Sequence, residues 1–100
     1  MLAAEDVVSI LRQAIKGEIE VSLMYPDLSW HQVYAGDVFF RMGDAEVVIY
    51  NDCNELDYID EVTLRNGEAG IFEDWDEPNP VDMLTHEEHE ALEEILENAR

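Results

Sequence analysis

Basic residues are scarce in this chain of 100 residues, which carries 5 lysines and arginines against 25 aspartates and glutamates, a net charge of −20. A surface with this charge repels nucleic-acid phosphates and anionic membranes, which excludes direct binding of DNA, RNA or lipid without a bridging metal. The apolar fraction of 47% is enough for one modest core. We therefore expect a single folded domain over residues 1–100 that favours basic protein partners.

Cysteine and long hydrophobic runs are scarce too. Cys53 is the single cysteine, which excludes an intramolecular disulfide and a zinc site built from several cysteines of one chain. The longest apolar runs, such as residues 47–50, are about four residues long, so we expect no membrane span and no signal peptide. We find no internal repeat and no linker rich in glycine, serine or proline. These absences favour a packed domain in the cytoplasm of a bacterial cell or a phage-infected host.

The acidic residues are unevenly distributed along the chain. Residues 1–43 carry 6 acids and 3 bases, a net charge of −3, whereas residues 44–100 carry 19 acids and 2 bases, a net charge of −17. Pressure for solubility alone would spread the acids evenly. The asymmetry therefore indicates one strongly negative face or end.

Hydrophobic periodicity predicts a helix near the start of the chain. Apolar residues recur at helical spacing from Val7 to Ile15, and Gly17 stands where a helix often ends in a left-handed residue. Residues 18–24 alternate apolar and polar side chains, which predicts a strand. Residues 29–34 are expected to form a turn or a short helical piece.

Two pairs of turn residues predict β-hairpins in the middle of the chain. Gly43-Asp44 is compatible with a two-residue type II′ turn, and Asn66-Gly67 is the preferred pair for a type I′ turn. The strands joined by these turns are predicted at residues 37–42, 45–51, 61–64 and 69–72.

The last third of the chain predicts an acidic loop followed by a capped helix. Residues 73–79 have little regular pattern and form an expected surface loop in which Trp75 tucks inward. Asn79-Pro80 is typical of a helical turn, and Thr85 with Glu88 is a capping box for the final helix. The buried stripe of that helix comprises Leu92, Ile95, Leu96 and Ala99. The fold class is thus predicted as α+β: an N-terminal helix, an antiparallel sheet of four or five strands and a C-terminal helix.

The acids of the final helix are the first candidate binding site. Their spacing of three, four and three residues puts them in one row, in which neighbouring glutamates lie about 5 to 6 Å apart. This spacing is comparable with the distance between successive phosphates on one DNA strand, which backbone dimensions put at about 7 Å. The row consists of Glu87, Glu90, Glu94 and Glu97. Two further acidic clusters that extend it comprise Glu73, Asp74, Asp76 and Glu77, and Asp57, Asp60 and Glu61. The alternative interpretation is a solvated acidic face without a partner.

Metal binding and catalysis have weaker signals. His86 and His89 are spaced three residues apart near Glu90, which allows two imidazoles and a carboxylate at a metal, but the His-Glu-x-x-His pattern of helical zinc sites is missed. Residues 51–57 place oxygen ligands at alternate positions without the central glycine and final glutamate of a calcium loop. The acids around Cys53 disfavour a reactive thiolate. We therefore expect a protein that is not an enzyme and uses no cofactor.

Aromatic residues predict a sheet with two partly apolar faces. Val38, Phe40 and Met42 alternate with Phe39 and Arg41, so one face is available for a partner or, as a homodimer, for a second copy of the chain. The alternative is a solvated face on which a few aromatic side chains are half exposed.

Four segments carry a resemblance that spans most of the chain. They are residues 30–36 (Trp-His-Gln-Val-Tyr-Ala-Gly), residues 51–58 (Asn-Asp-Cys-Asn-Glu-Leu-Asp-Tyr), residues 72–75 (Phe-Glu-Asp-Trp) and residues 79–86 (Asn-Pro-Val-Asp-Met-Leu-Thr-His). In this pattern the chain resembles a family of small uncharacterised bacterial domains that has no known activity. The resemblance implies that the matching positions maintain the fold, and that the strong acidity is a specialisation of this member.

By size and charge the chain is also similar to phage-encoded DNA-mimic inhibitors, including anti-CRISPR and anti-restriction proteins, and to acidic immunity proteins. We expect a non-enzymatic inhibitor that mimics DNA and occupies the basic nucleic-acid-binding site of a bacterial defence complex. The alternatives are an immunity protein that neutralises a basic nuclease toxin, with hot spots around Trp75 or Phe39, and a small metal-binding domain that uses His86, His89 and Glu90.

Overall fold

Three helices and one five-stranded antiparallel sheet make up the protein, as seen in a computed structural model that describes residues 1–75 and 78–100. The strands lie in the order β1-β2-β3-β4-β5, so each strand pairs with its neighbours in sequence. This architecture confirms the predicted α+β fold with helices at both ends. The elements are α1 (Ala4–Ile15), β1 (Val21–Leu23), α2 (Trp30–Val33), β2 (Gly36–Met42), β3 (Ala45–Asp52), β4 (Glu55–Thr63), β5 (Ala69–Ile71) and α3 (His86–Asn98), with 3-10 turns at Phe72–Asp74 and Pro80–Met83.

The core lies between the helices and one face of the sheet, which we call the inner face. Alternate residues of β2, β3 and β4 point to this face because successive side chains of a strand point to opposite sides. Each buried aliphatic or aromatic side chain contributes about 1.5 to 3 kcal/mol. The side chains in this core include Val38, Phe40, Met42, Val47, Ile49, Leu56, Ile59 and Val62 from the sheet, Val7 and Leu11 from α1, Trp30 from α2, and Leu92 and Leu96 from α3.

Helix α1 ends as its sequence predicts. Gly17 has a positive φ of 75°, and its N–H donates to the Ala14 carbonyl at 3.1 Å while the N–H of Glu18 donates to the Gln13 carbonyl at 2.9 Å. These two bonds define a Schellman motif. Because Glu18 belongs to this motif, it cannot begin a strand; β1 runs from Val21 to Leu23 and is shorter than the strand predicted over residues 18–24.

Glu88 both caps the start of α3 and joins that helix to α1. The predicted capping box is confirmed, since the Thr85 N–H donates to Glu88 Oε1 at 2.9 Å and the Glu88 N–H donates to Thr85 Oγ1 at 3.1 Å. Arg12 Nε and Nη2 also donate to the Glu88 carboxylate, at 2.8 and 3.2 Å. The hydrogen bonds from Arg12, followed by those from Thr85, lower the pKa of Glu88. Glu88 therefore serves the fold rather than a binding surface.

The hairpin turns agree with the sequence in one case out of two. Gly43 has a φ of 59° and Asp44 has no positive φ, as a type II′ turn between β2 and β3 requires. The predicted type I′ turn at Asn66-Gly67 is wrong: φ is positive at Gly67 alone. There the Gly67 N–H donates to the Leu64 carbonyl at 3.0 Å, so a type I turn ends in a left-handed glycine.

A hairpin that the sequence prediction missed joins β3 to β4. Cys53 and Asn54 have φ values of 52° and 69°, the two positive values of a type I′ turn, and Asp52 pairs with Glu55 across it. Residues 51–57 are therefore strand ends and a tight turn rather than a calcium-type loop. Cys53 is exposed and free, as a single cysteine must be.

Buried polar side chains fix the segment after β5. The indole N–H of Trp75, which is 8% exposed, donates to the Leu2 carbonyl at 3.0 Å, so the predicted inward position of Trp75 is confirmed. Asn79 accepts from the N–H groups of Val81 and Ile59 at 3.1 and 3.0 Å and donates to the Ile59 carbonyl at 3.0 Å. The predicted Asn79 cap is confirmed, and the same side chain also ties this turn to β4.

Backbone at the chain ends bonds to the two edge strands. The Leu23 N–H of β1 donates to the Arg100 carbonyl at 3.0 Å, and the Leu2 N–H donates to the Ala69 carbonyl of β5 at 3.1 Å. These bonds reduce the unpaired edge that would accept a further strand. Among the described residues, none of the helices combines the length and the apolar character that crossing a membrane requires.

Candidate functional site

The predicted row of glutamates lies along the solvent side of α3. Glu87, Glu90 and Glu94 are exposed, and Glu97 is half-buried. Two histidines lie beside this row, because His86 Nε2 is 2.7 Å from Glu90 Oε1 and His31 Nε2, on α2, is 3.6 Å from Glu97 Oε2. We call these four glutamates the α3 row.

The glutamates beside the α3 row have structural roles. Glu93 accepts a hydrogen bond from the Leu56 N–H of β4 at 2.8 Å, and Glu88 holds the capping box and Arg12. One side of α3 therefore binds the rest of the protein through Glu88 and Glu93, and the other side, which carries the α3 row, faces solvent.

The acids of β4 lie at two irregularities in its pairing with β3. Val48 pairs with Glu61 and the next residue, Ile49, pairs with Ile59, so Asp60 of β4 has no partner on β3. In the same way Asp57 lies unpaired between Leu56, which pairs with Asn51, and Tyr58, which pairs with Tyr50. Such bulges re-aim side chains and are frequent next to functional sites. Asp57 and Glu61 are exposed and Asp60 is half-buried.

The acidic clusters are divided between the two sides of the molecule. Asp60 and Glu61 act electrostatically on Asp37, which alternates with buried Val38 and therefore lies on the face of the sheet turned away from the helices, the outer face. The α3 row lies on the opposite layer. Asp60 and Glu61 therefore do not extend the row, and each surface needs its own explanation.

The predicted loop cluster is only partly described. Glu73 and Asp74 are exposed within the 3-10 turn Phe72–Asp74, where Asp74 Oδ2 accepts from the Ile71 N–H at 3.0 Å. Asp76 and Glu77 lie outside the described residues.

Aromatic side chains cover much of the outer face. Tyr50 and Tyr58 stack with ring centroids 4.9 Å apart and planes 9° apart, and Phe72 lies 4.8 Å from Tyr58. Tyr25 meets Phe39 edge to face at 5.6 Å. All three helices contribute their buried residues to the other side of the sheet, so these rings are covered mainly by one another. We call these five residues the aromatic face.

A carboxylate pair that the sequence interpretation missed lies beside the aromatic face. Asp37 is opposite Tyr50 in the register of β2 and β3. Burial raises the pKa of Asp37 to about 6, and the hydrogen bond and negative charge of Asp60 and the charge of Glu61 add to this rise. Asp37 Oδ1 is buried and has no hydrogen-bond partner within the described part of the chain. The outer face thus carries a carboxylate that lacks a cation.

The signal for Asp37 was present in the sequence but weak. Aspartate is depleted in strands because its side chain competes for backbone hydrogen bonds, so an aspartate inside an alternating strand is unusual. Its partner Asp60 is 23 positions away by the residue numbers and reaches it only through a bulge, which no local pattern predicts.

The cleft around His86 and His89 offers little to a metal. It has a volume of about 510 Å³ and is also lined by Glu90 and Glu93, but His89 Nε2 is 3.1 Å from the Leu56 carbonyl oxygen. In residues 1–75 and 78–100 no three side chains of His, Cys, Asp or Glu are arranged to hold a metal ion. Nothing here favours the metal-binding alternative.

A comparison of the chain with curated proteins and one with solved structures give no match. A family model, by contrast, matches residues 1–98, nearly the whole chain. The protein therefore belongs to the family described as a domain of unknown function, DUF7693.

Proposed function

We propose that this protein is a non-enzymatic acidic inhibitor that mimics DNA and occupies the basic nucleic-acid-binding site of a bacterial defence complex or another DNA-binding protein. The observation that carries the proposal is the α3 row, a line of carboxylates on the solvent side of one helix in a chain of net charge −20. Glu73 and Asp74 remain candidate contacts, as do Asp76 and Glu77, which lie outside the described residues.

The shape of the α3 row supports the proposal. The helix backbone holds the Cβ atoms of Glu87, Glu90 and Glu94 about 5 to 6 Å apart in sequence along the row, so the order and direction of these side chains are set before binding. Lysine and arginine side chains that line a DNA channel are placed to meet phosphates at a comparable spacing.

The electrostatic energy supports it as well. Like charges on one helix face cost about 0.2 to 0.5 kcal/mol per pair, and few cations of the chain offset this cost. Arg12 is paired with Glu88, and Arg41 with Glu46 at 3.8 Å. A basic partner removes the repulsion on binding, and the long-range field accelerates the encounter.

The test is capture of proteins from a bacterial lysate by the immobilised protein, with and without excess duplex DNA. We expect captured proteins that bind nucleic acid and that DNA displaces. The variant Glu87→Lys, Glu90→Lys, Glu94→Lys, which we call the row variant, reverses three of the four charges of the row. Its matched control, Glu18→Lys, Glu20→Lys, Asp27→Lys, makes the same change of net charge at three exposed acids in the first part of the chain.

The row variant is expected to lose the DNA-displaced proteins, whereas the control keeps most of them. Equal loss in both variants would show that net charge rather than the α3 row is responsible. Captured proteins that DNA does not displace would refute mimicry of DNA. Circular dichroism of both variants establishes that the fold is retained.

A second candidate, an immunity protein for a basic nuclease toxin, is favoured by the aromatic face. Phe39, one of the two hot spots expected for an immunity protein, belongs to that face. Trp75, the other expected hot spot, is buried and cannot contact a partner. Salt separates the two candidates: binding through the α3 row weakens steeply as salt rises, while a complex centred on buried aromatic side chains persists.

A further inference from the structure

The outer face of the sheet combines aromatic surface with negative charge. Tyr50, Tyr58 and Phe72 form a continuous aromatic strip, and Phe72 is 43% exposed. Asp37 and Asp60 lie next to this strip, and Glu61 is close enough to add its charge. The face therefore offers a ligand both π surface and carboxylate oxygens.

The charge of the molecule decides between the two obvious occupants of this face. A second copy of the chain brings another net charge of −20 and the same carboxylates, so two copies repel each other. A basic segment is attracted by the same field. It also supplies N–H donors for the neighbouring carboxylates of Asp37 and Asp60.

We propose that the outer face is a second interaction surface, separate from the α3 row, which binds an arginine-bearing segment of a basic protein. The planar guanidinium stacks on the strip of Tyr50, Tyr58 and Phe72, and its N–H groups donate to Asp37 and Asp60. Arginine suits this surface better than lysine, because a guanidinium group stacks on aromatic rings and also donates two parallel hydrogen bonds to a carboxylate. The assignment does not depend on the proposed mimicry of DNA.

The binding mode uses the sheet face rather than a sheet edge. Backbone from Arg100 already bonds to β1, and backbone from Leu2 to β5. Strand addition is therefore impeded at both edges, and side-chain contacts across β2, β3 and β4 provide the affinity.

The first experiment maps binding on the intact protein by amide chemical shifts. The probe is a blocked decapeptide of alternating arginine and glycine, compared at low ionic strength with the same peptide carrying lysine. We expect shift changes centred on β2, β3 and β4, with tighter binding of the arginine peptide. Changes confined to α3, equal affinity for the lysine peptide, or no binding at millimolar peptide would each overturn the proposal.

Neutral substitutions then test the residues. Asp37→Asn with Asp60→Asn is expected to weaken binding of the arginine peptide about tenfold, whereas the control Glu18→Gln with Glu20→Gln, which changes net charge equally, weakens it less than about twofold. Tyr58→Leu keeps apolar area but removes the ring, and it should abolish the preference for arginine over lysine. Equal weakening by the two carboxylate variants would refute a specific surface.

Two further outcomes keep this surface distinct from its alternatives. If sedimentation shows a dimer that Tyr58→Leu dissociates, the occupant is a second copy and the proposal is wrong. If the α3 row variant leaves lysate capture unchanged while the peptide still binds β2 to β4, mimicry of DNA fails and the outer-face proposal stands.

Discussion

Substitution of Asp37 by asparagine is expected to stabilise the protein at neutral pH, although it removes a charged group from a strand. The carboxyl group of Asp37 is half-buried on the outer face, opposite Tyr50 and beside Tyr58, Asp60 and Glu61. Each of these neighbours is acidic or uncharged. Ionised Asp37 thus loses hydration and meets negative charge without a compensating cation, whereas asparagine has nearly the same shape and no charge.

The sign and the size of the effect follow from the pKa of Asp37. Because the pKa rises from 3.8 to about 6 on folding, the folded state holds the proton more tightly. The stability that this proton provides is fully present below about pH 4 and is lost as the pH rises to about 6. Two pKa units correspond to about 3 kcal/mol, and solvent screening of a half-exposed group reduces this to about 1 kcal/mol.

Urea unfolding of both proteins at pH 4.5 and pH 7.5 tests this prediction; the lower value stays above the isoelectric point of about 4.1. Asp37→Asn should be more stable than the wild type by about 1 kcal/mol at pH 7.5, and this gain should shrink at pH 4.5. The control Asp27→Asn removes the same charge from an exposed site. A gain that is equal at both pH values, or that the control reproduces, would refute the role of burial beside Asp60.

Three other substitutions probe the fold by chemical denaturation. Asn79→Ala leaves the buried backbone groups of Ile59 without their partner, and it should cost about 3 kcal/mol. Gly70→Ala places a methyl group 2.8 Å from Trp75 Cζ2, so it should cost about 1 to 3 kcal/mol and change the tryptophan fluorescence. Thr85→Ala removes the α3 cap and should cost about 1 kcal/mol. A loss of stability below about 1 kcal/mol in Asn79→Ala would contradict the first expectation. An unaltered emission spectrum of Gly70→Ala would contradict the second, and a stability of Thr85→Ala equal to that of the wild type would contradict the third.

Signals confined to a few residues predicted the structure well. Gly17 ends α1, Asn79 caps the turn that begins at Pro80, and Thr85 with Glu88 begins α3. Each is a local hydrogen-bond pattern that depends on neighbours in the sequence, so tertiary structure reinforces rather than decides it.

Turn geometry was harder to predict because one dipeptide fits more than one turn. Asn66-Gly67 permits a type I′ turn, but here Asn66 keeps a negative φ and the glycine alone is left-handed. Cys53-Asn54 forms the type I′ turn in place of a more typical Asn-Gly pair. The register of β3 and β4 with its two bulges selects this turn, and that register depends on which side chains the helices cover.

The location of the acids could not be obtained from the sequence for a related reason. The helical spacing correctly put Glu87, Glu90 and Glu94 on one side of α3, because helix geometry is periodic. Asp60 reaches Asp37 only because β4 bulges and because β2 and β4 flank the same central strand. The number of acids in each segment therefore predicts the amount of negative charge, but it does not predict on which surface of the folded protein that charge lies.

This division constrains how a partner can bind. The α3 row and the aromatic face lie on opposite layers of a molecule whose shortest extent is 25 Å, so a partner that contacts both must reach around it. A partner that contacts only one surface leaves the other free. Substitutions on the two surfaces are far enough apart to act independently, and their effects on binding free energy should add for a partner that wraps the molecule. For a partner of the α3 row alone, neutral substitutions on the aromatic face should leave the binding free energy unchanged, and the pair of variants thereby separates one binding surface from two.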